Sequence, residues 1–127
     1  MGNGYGPEVD WWAFGVLMYE MLIGYPPFYS EEQEDIYWKI INFEQTFQLP
    51  NDVEVSEEAW DLLERIIRDR KMRLGLNGAW EIKAHPFFRG INWKDISTKD
   101  PPFVPSHKDI SNFENFEPVE EQDPWWM

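Results

Sequence analysis

The sequence predicts a mainly α fold that passes into an extended tail. Three features support this prediction: an apolar run over residues 11–23, a serine-capped amphipathic segment that begins at Ser56, and a proline-rich acidic stretch from Asn92 onward. No stretch shows the alternation of apolar and polar residues that would support a strand. We therefore expect helices that pack on one another without a sheet.

Residues 11–23 (WWAFGVLMYEMLI) predict the central helix. Apolar residues fall on every side of a helix drawn through this run, which indicates a helix that is buried all round. Gly24 is a suitable stop, and Pro26 and Pro27 prevent continuation because proline lacks the amide hydrogen and clashes with the preceding turn. Such a helix needs a larger helical domain around it.

A second helix is predicted over residues 30–42. Ser30 and Gln33 match a capping box, in which the two side chains satisfy free amides at the start of a helix. Ile36, Ile40 and Phe43 would form its buried side.

Ser56 is the predicted N-cap of a third helix, which has two glutamates in its first turn. Arg65, Arg68 and Arg70 are expected in its last turn, where cations suit the helix dipole. The predicted buried stripe has apolar residues at helical spacing: Ala59, Leu62, Leu63, Ile66 and Ile67. A short fourth helix is predicted over residues 79–84.

The composition excludes several classes of function. The net charge is −13, and it argues against nucleic acid as a partner because phosphates would be repelled, whereas basic peptides remain acceptable. The absence of cysteine excludes disulfides and thiolate chemistry, and two distant histidines do not make a metal motif.

The N-terminus carries no signal-peptide pattern. The apolar run over residues 11–23 is shorter than the about 20 residues that a membrane-spanning helix needs, and it contains Glu20. We expect no membrane association and a cytoplasmic or nuclear location, or both.

Several separated motifs resemble the AGC group of serine/threonine kinases. Residues 10–21 (DWWAFGVLMYEM) and 24–28 (GYPPF) are similar to the D-W-W-x-x-G-V-x-x-Y-E-M and G-Y-P-P-F signature of that group. Further landmarks follow in the family's order: RLG at 73–75, HPFF at 85–88, INW at 91–93, PPFVP at 101–105 and SNFENF at 111–116. The sequence of residues 19–28 is most similar to that of the NDR/LATS branch.

The resemblance implies two parts of such a kinase. Residues 1–91 would be the C-terminal helical portion of the large lobe, and residues 92–127 an incomplete AGC tail. The Gly-rich loop, the strand lysine, the H-R-D loop and the D-F-G aspartate have no counterpart in the sequence. Glu8 lies too close to Asp10 to be the A-P-E glutamate, which we place upstream of Met1.

The missing motifs bear on cofactors and activity. The family implies ATP and Mg²⁺ as cofactors of the complete kinase, and we expect neither to bind this chain alone. Without a catalytic base, metal ligands or a phosphate cradle, the 127-residue chain is not expected to transfer phosphate.

The resemblance assigns roles to four residues. Asp10 is similar to the aspartate that supports the catalytic loop, and its alternative role is an N-cap of its own helix. Glu20 is similar to the carboxylate that pairs with an arginine two residues before the target hydroxyl; its alternative is an ion pair within the lobe. Arg73 is similar to the arginine that pairs with the A-P-E glutamate, or it is a solvated helix-end arginine. Phe113 is similar to the tail phenylalanine that reaches the adenine pocket.

Three other features of the sequence bear less directly on function. The segment from Phe113 to Glu117 has an alternative interpretation as a hydrophobic motif with a phosphate-mimicking glutamate. His85 is expected to be structural, and the Trp125-Trp126 ending has no interpretation.

Two further hypotheses stand beside the kinase hypothesis. The chain could be a non-catalytic acidic interaction module that binds basic segments, or a truncated gene product. A MOB-type coactivator is implied as a partner of the complete kinase, through a segment outside this sequence.

Overall fold

The computed structural model describes residue 6 and residues 8–102. Five α helices and one 3₁₀ helix make up the regular structure of this range, which contains no β-strand. The mainly α prediction is therefore confirmed.

Helix α1 (Glu8–Ile23) begins at Glu8 rather than at Trp11 and ends at Ile23 as predicted. Gly24 takes a φ of 97°, a left-handed conformation that favours glycine, and its N–H donates to the Glu20 carbonyl at 2.8 Å. The chain can therefore turn away at the expected point.

Within the described residues, α1 is not buried on all sides. Met18 and Tyr19 are buried, whereas the side chains of Val9, Leu17 and Met21 are 44%, 58% and 76% exposed. Helix α4 packs against one side of α1, and the described part of the chain supplies no second layer for the opposite side.

Helix α2 (Gln33–Ile41) begins later than predicted, and the Ser30 capping box is not formed. Glu32 occupies the N-cap without a side-chain hydrogen bond, and the Ser30 hydroxyl lies 3.4 Å from an Asp35 carboxylate oxygen instead. The hydroxyl therefore bonds a side chain rather than the free amides of the helix start. Of the three residues predicted on the buried side, Ile36 and Phe43 are half-buried and Ile40 is 38% exposed, so the prediction is met only in part.

A short helix that the sequence did not reveal follows α2. Helix α3 (Phe43–Thr46) is held by the Thr46 hydroxyl, which donates to the Lys39 carbonyl at 2.7 Å. It brings Phe47 to Trp60 of α4, where the two rings stack with their centroids 5.1 Å apart. The contact connects the α2–α3 segment to the core.

Helix α4 (Glu57–Ile66) confirms the predicted cap and buried stripe. The Ser56 hydroxyl accepts a hydrogen bond from the Ala59 N–H at 3.2 Å. The helix ends at Ile66, so Arg68 and Arg70 lie beyond it rather than in its last turn. The buried core combines α1, α4 and α5: Met18, Tyr19, Ala59, Leu62, Leu63, Ile66 and Ile82.

Helix α5 (Ala79–Lys83) lies within the predicted range, and a 3₁₀ helix (Pro86–Phe88) follows it. Phe88 packs edge-on against Trp93, with ring centroids 5.1 Å apart, and the Trp93 indole N–H donates to the Lys83 carbonyl at 3.3 Å. These contacts hold the segment after α5 against the C-terminal end of that helix.

The chain divides into two compact units between Trp93 and Lys94. In the described part of the second unit, the Asp95 carbonyl accepts hydrogen bonds from the main-chain N–H groups of Thr98 and Lys99. The functional boundary predicted at residues 91 and 92 stays a prediction. Among the described helices, none is both long and apolar enough to span a membrane.

Candidate functional site

One face of α1 presents side chains to solvent and contains two of the predicted site residues. Val9, Ala13, Leu17 and Met21 follow one another at intervals of four residues, so they share a face of the helix. All four are exposed. Asp10 and Glu20 are exposed as well and flank this apolar stripe.

Asp10 does not cap α1, because the helix begins two positions earlier, at Glu8. Its main chain is already helical, so the N-cap alternative is wrong. The side chain is exposed in the first turn, where a carboxylate suits the positive end of the helix dipole. The role that the family resemblance gives Asp10, support of a catalytic loop, stays a prediction.

Glu20 is an exposed carboxylate near the end of α1. No ion pair joins it to any residue within 8–102, so the alternative of a structural ion pair has no support in this range. An exposed carboxylate beside apolar side chains can bind a cation that approaches from solvent.

Arg73 is tied to main-chain carbonyls. Its Nη1 donates to the Glu8 carbonyl at 2.6 Å, and its Nη2 and Nε donate to the Arg68 carbonyl at 2.7 and 3.2 Å. The guanidinium carbon also lies 4.9 Å from the centroid of the Trp12 ring. The alternative of a solvated arginine is therefore wrong, whereas pairing with an A-P-E glutamate stays a prediction.

The surroundings of Arg73 act on its charge in opposite directions. Burial lowers the pKa of Arg73, and the negative charges of Glu8 and Asp69 oppose that effect. The guanidinium remains charged at neutral pH because its ordinary pKa lies far above that range.

Glu8 is a buried residue whose structural role the sequence did not reveal. Its carboxylate accepts from the Gly6 N–H at 3.1 Å and pairs with Arg70 Nε at 2.5 Å. Hydrogen bonds from the main chain, above all its own, together with the Arg70 charge lower the pKa of Glu8 although burial raises it. The available signal was an acidic residue just before the apolar run and several arginines far along the chain.

An apolar groove lies between α1 and α2. It has a volume of about 220 Å³. Its lining is aromatic, aliphatic or proline throughout: Trp12, Val16, Pro26, Pro27, Phe28, Tyr29, Ile36 and Ile40. Trp12 and Phe28 stack nearly parallel at its side, with centroids 5.9 Å apart. The sequence did not predict a groove, because it placed Ile36 and Ile40 in a closed core.

His85 is buried and structural in its contacts, in line with its expected role. Its Nδ1 accepts from the Phe87 N–H at 3.3 Å, which leaves Nε2 to donate to an Asp61 carboxylate oxygen at 2.8 Å. Both ring nitrogens are engaged, so the side chain fixes the start of the 3₁₀ helix.

Phe113, the Phe113–Glu117 motif and the Trp125-Trp126 ending lie outside the described residues. Within the described range, no three carboxylate or histidine side chains come together as a potential metal site. The expectation that neither ATP nor Mg²⁺ binds this chain alone stays a prediction.

Comparisons with known proteins agree with the AGC resemblance. The family model described as "Protein kinase domain" matches residues 1–88. The chain is 50% identical over 111 residues to serine/threonine-protein kinase CBK1 of Saccharomyces cerevisiae, covering 87% of this chain and 15% of that protein. It is 46% identical over 132 residues to probable serine/threonine-protein kinase ndrB of Dictyostelium discoideum, covering 98% of this chain and 24% of that protein.

A third relative, serine/threonine-protein kinase MRCK beta of Homo sapiens, is 51% identical over 114 residues, which cover 87% of this chain and 7% of that protein. The chain thus spans less than a quarter of the length of each of these relatives. The helical fold, the family match and these identities have one explanation: the chain belongs to the protein kinase family, as an NDR/LATS-like member of the AGC serine/threonine kinases.

Proposed function

We propose that this chain is part of a serine/threonine kinase in which α1 faces the protein substrate. The complete kinase transfers the γ-phosphate of Mg²⁺-bound ATP to serine or threonine hydroxyls in basic segments. The observation that carries the substrate preference is the exposed Glu20 carboxylate, which has no ion-pair partner within residues 8–102.

The negative charge of the chain favours a basic substrate both at long range and in direct contact. At long range, the net charge of −13 favours encounter with Lys/Arg-rich segments. At short range, Glu20 would pair with an arginine side chain, and the neighbouring Leu17 would pack against its aliphatic stem. The short-range contact selects the position of the arginine in the peptide.

A peptide-binding experiment tests the role of Glu20. A fluorescent peptide with arginine two residues before a serine is titrated with the 127-residue chain, and anisotropy is followed. Glu20→Gln is expected to weaken binding by about 1.5- to 5-fold, because an exposed ion pair contributes about 0.2–1 kcal/mol. Replacing the peptide arginine by alanine removes the same ion pair. Glu20→Gln should therefore cause no further loss of affinity for the alanine peptide.

Glu64→Gln is the matched control, because Glu64 is an exposed carboxylate on α4 and has no ion-pair partner among the described residues. Equal losses for Glu20→Gln and Glu64→Gln would show that only the overall charge acts. That result would contradict the specific role of Glu20.

The inactivity of the chain on its own is also a proposal. It rests on the catalytic motifs missing from the sequence and on the lack of metal-ligand clusters within residues 8–102. Incubation with radiolabelled ATP, Mg²⁺ and the same peptide should give no labelled peptide. Labelling that survives removal of contaminating kinases would refute the proposal.

A second candidate function is a non-catalytic interaction module, and the apolar groove between α1 and α2 favours it. The start of α2 places acidic residues beside this groove, and Tyr37, Trp38 and Ile41 of the same helix are 59%, 57% and 78% exposed. Such a surface suits a segment that combines basic and apolar side chains. Binding that depends on Ile36 and Tyr29 but not on Glu20 would favour this candidate over substrate recognition.

The NDR/LATS similarity supports two further proposals for the complete kinase. A MOB-type coactivator would bind it through a segment outside this sequence, and the kinase would work in the cytoplasm, the nucleus or both. Co-purification of the full kinase with a MOB protein, and imaging of a tagged kinase, test these proposals.

A further inference from the structure

The loop between α4 and α5 contains an asparagine followed directly by a glycine, Asn77 and Gly78. This pair is chemically labile, because the main-chain nitrogen after an asparagine can attack the carboxamide carbon of that residue. Glycine has no Cβ to obstruct the attack and permits unusual backbone angles, and Gly78 takes a φ of 136°. Asn77 itself is exposed to water.

The loop is organised around the carboxylate of Glu81, on α5. Oε1 of Glu81 accepts from the Asn77 carboxamide Nδ2 at 2.7 Å, and Oε2 accepts from the N–H groups of Gly75 at 2.8 Å and Asn77 at 3.3 Å. The hydrogen bond from the Asn77 side chain is the main reason why the pKa of Glu81 is lowered, so the carboxylate is ionised at neutral pH. One anion therefore holds both the side chain and the main chain of the asparagine.

The same loop also restrains the attacking group. The Gly78 N–H donates to the Gly75 carbonyl at 3.0 Å, so the nitrogen that would attack is engaged elsewhere. The carboxamide that it would attack is oriented by Glu81. Attack requires both bonds to open, which makes the reaction dependent on local unfolding of the loop.

We propose that Asn77–Gly78 is a deamidation site that the Glu81-centred loop protects in the folded chain, and that its product releases the loop. In the first step, a bond forms between the Gly78 nitrogen and Cγ of Asn77, the Cγ–Nδ2 bond breaks, and ammonia leaves with the proton of the Gly78 nitrogen. Water then adds to the cyclic imide and opens it to aspartate or isoaspartate. Water is the only co-reactant, and no oxidation or reduction takes place.

The product is incompatible with the observed hydrogen bonds. The donor Nδ2 is lost, and a new carboxylate faces the carboxylate of Glu81. Displacement of Glu81 would leave the Gly75 N–H without its acceptor. Gly75 is packed so tightly against the Trp11 indole that an added Cβ would lie 2.7 Å from it, so a change in the loop is transmitted to α1.

The rate of deamidation is measured by peptide mapping and mass spectrometry of the whole chain, aged at slightly alkaline pH with and without guanidinium chloride. We expect Asn77 to react at least about tenfold more slowly without denaturant, because the reactive loop must first open. Equal rates under the two conditions, or no reaction at Asn77 in denaturant, would overturn the proposal.

Variants separate the role of Glu81 from general stability. Glu81→Ala should accelerate the reaction at Asn77 without denaturant, whereas Glu64→Ala, at an exposed position of α4, should not. The circular dichroism spectrum of Glu81→Ala should match that of the wild type, which shows that the fold is kept. Equal acceleration at Asn77 in Glu64→Ala would overturn the role of Glu81.

Asn77→Asp reproduces the product directly. Amide hydrogen exchange at Gly75 should be about tenfold faster in this variant, as expected for a lost hydrogen bond to a charged acceptor. Asn51→Asp adds the same charge in another exposed turn and should leave Gly75 unchanged. Unchanged exchange at Gly75 in Asn77→Asp would overturn the release of the loop.

Discussion

The guanidinium of Arg73 lies over the indole of Trp12, with its central carbon 4.9 Å from the ring centroid. The same group donates to the Glu8 carbonyl, 65 residues earlier in the chain. Arg73 therefore fastens the segment after α4 to the first turns of α1. Trp12 in turn stacks on Phe28, which connects this contact to the apolar groove.

Arg73→Ala should destabilise the fold by roughly 2–3 kcal/mol, since it removes charged hydrogen bonds to two carbonyls and a cation–π contact. Urea denaturation followed by tryptophan fluorescence measures the change. Arg73→Lys should lie between the wild type and Arg73→Ala, because an ammonium group cannot make the same forked contacts. Arg89→Ala removes an exposed arginine and should stay within about 0.5 kcal/mol of the wild type.

Gly15→Ala should be destabilising although alanine favours helices. An added Cβ would lie 2.6 Å from Ile66 Cγ2 and 2.8 Å from Ile67 Cδ1, so α1 and α4 would have to separate. We expect a loss of about 1–3 kcal/mol, the usual range for overpacking. Ala13→Ser on the exposed face of α1 is the control and should change stability little; a stabilised Gly15→Ala would refute the close approach of the two helices.

The two serines that the sequence predicts as N-caps should respond differently to substitution. Ser56→Ala should cost about 1 kcal/mol, because the hydroxyl accepts from the Ala59 N–H at the start of α4. Ser30→Ala should have little effect, since its hydroxyl bonds an exposed Asp35 carboxylate and caps no helix. Thermal unfolding by circular dichroism distinguishes the two, and equal effects would contradict the assignment of α2.

Asp61 should contribute to the acid sensitivity of the fold. Hydrogen bonds from Arg65 and then His85 lower the pKa of Asp61 below its ordinary value of 3.8, against the effect of burial. The pKa of Asp61 is lower in the folded chain than in the unfolded chain. Its contribution to stability is therefore complete above pH 3.8 and is lost as the pH falls through the folded pKa.

Urea titrations of the wild type and Asp61→Asn on both sides of pH 3.8 measure this effect. The stability difference between the two proteins should be constant above that value and should shrink below it. A difference that persists unchanged into strong acid would show that Asp61 is protonated in the fold or acts only through its shape.

Local patterns predicted some elements of the fold well. The Ser56 cap and the stripe from Ala59 to Ile67 depend on contacts within a few residues, and the structure confirms both. The end of α1 at Ile23 was likewise predictable from Gly24 and the prolines after it. Ser30 shows the limit of such patterns, because the same hydroxyl can cap a helix or bond a nearby carboxylate.

Sites that depend on distant contacts were predictable only in part. The R-L-G motif identifies Arg73 as a candidate site residue. Its hydrogen bonds to the carbonyls of Glu8 and Arg68 could not be predicted, because any main-chain carbonyl can accept a hydrogen bond. Glu8 does not match the A-P-E glutamate of the family, and it is nevertheless buried and paired with Arg70. Charge and periodicity do not specify which of several arginines a carboxylate reaches across the fold.

The sequence by itself determined the helical class, the positions of α1, α4 and α5, and the membership in the protein kinase family. These properties are encoded in short-range periodicity, capping residues and motif order. Tertiary structure alone decided which face of α1 is covered and that Glu20 faces solvent. An apolar residue is buried only where another element packs against it, and the side of α1 that carries Leu17 and Met21 has no such element within residues 8–102.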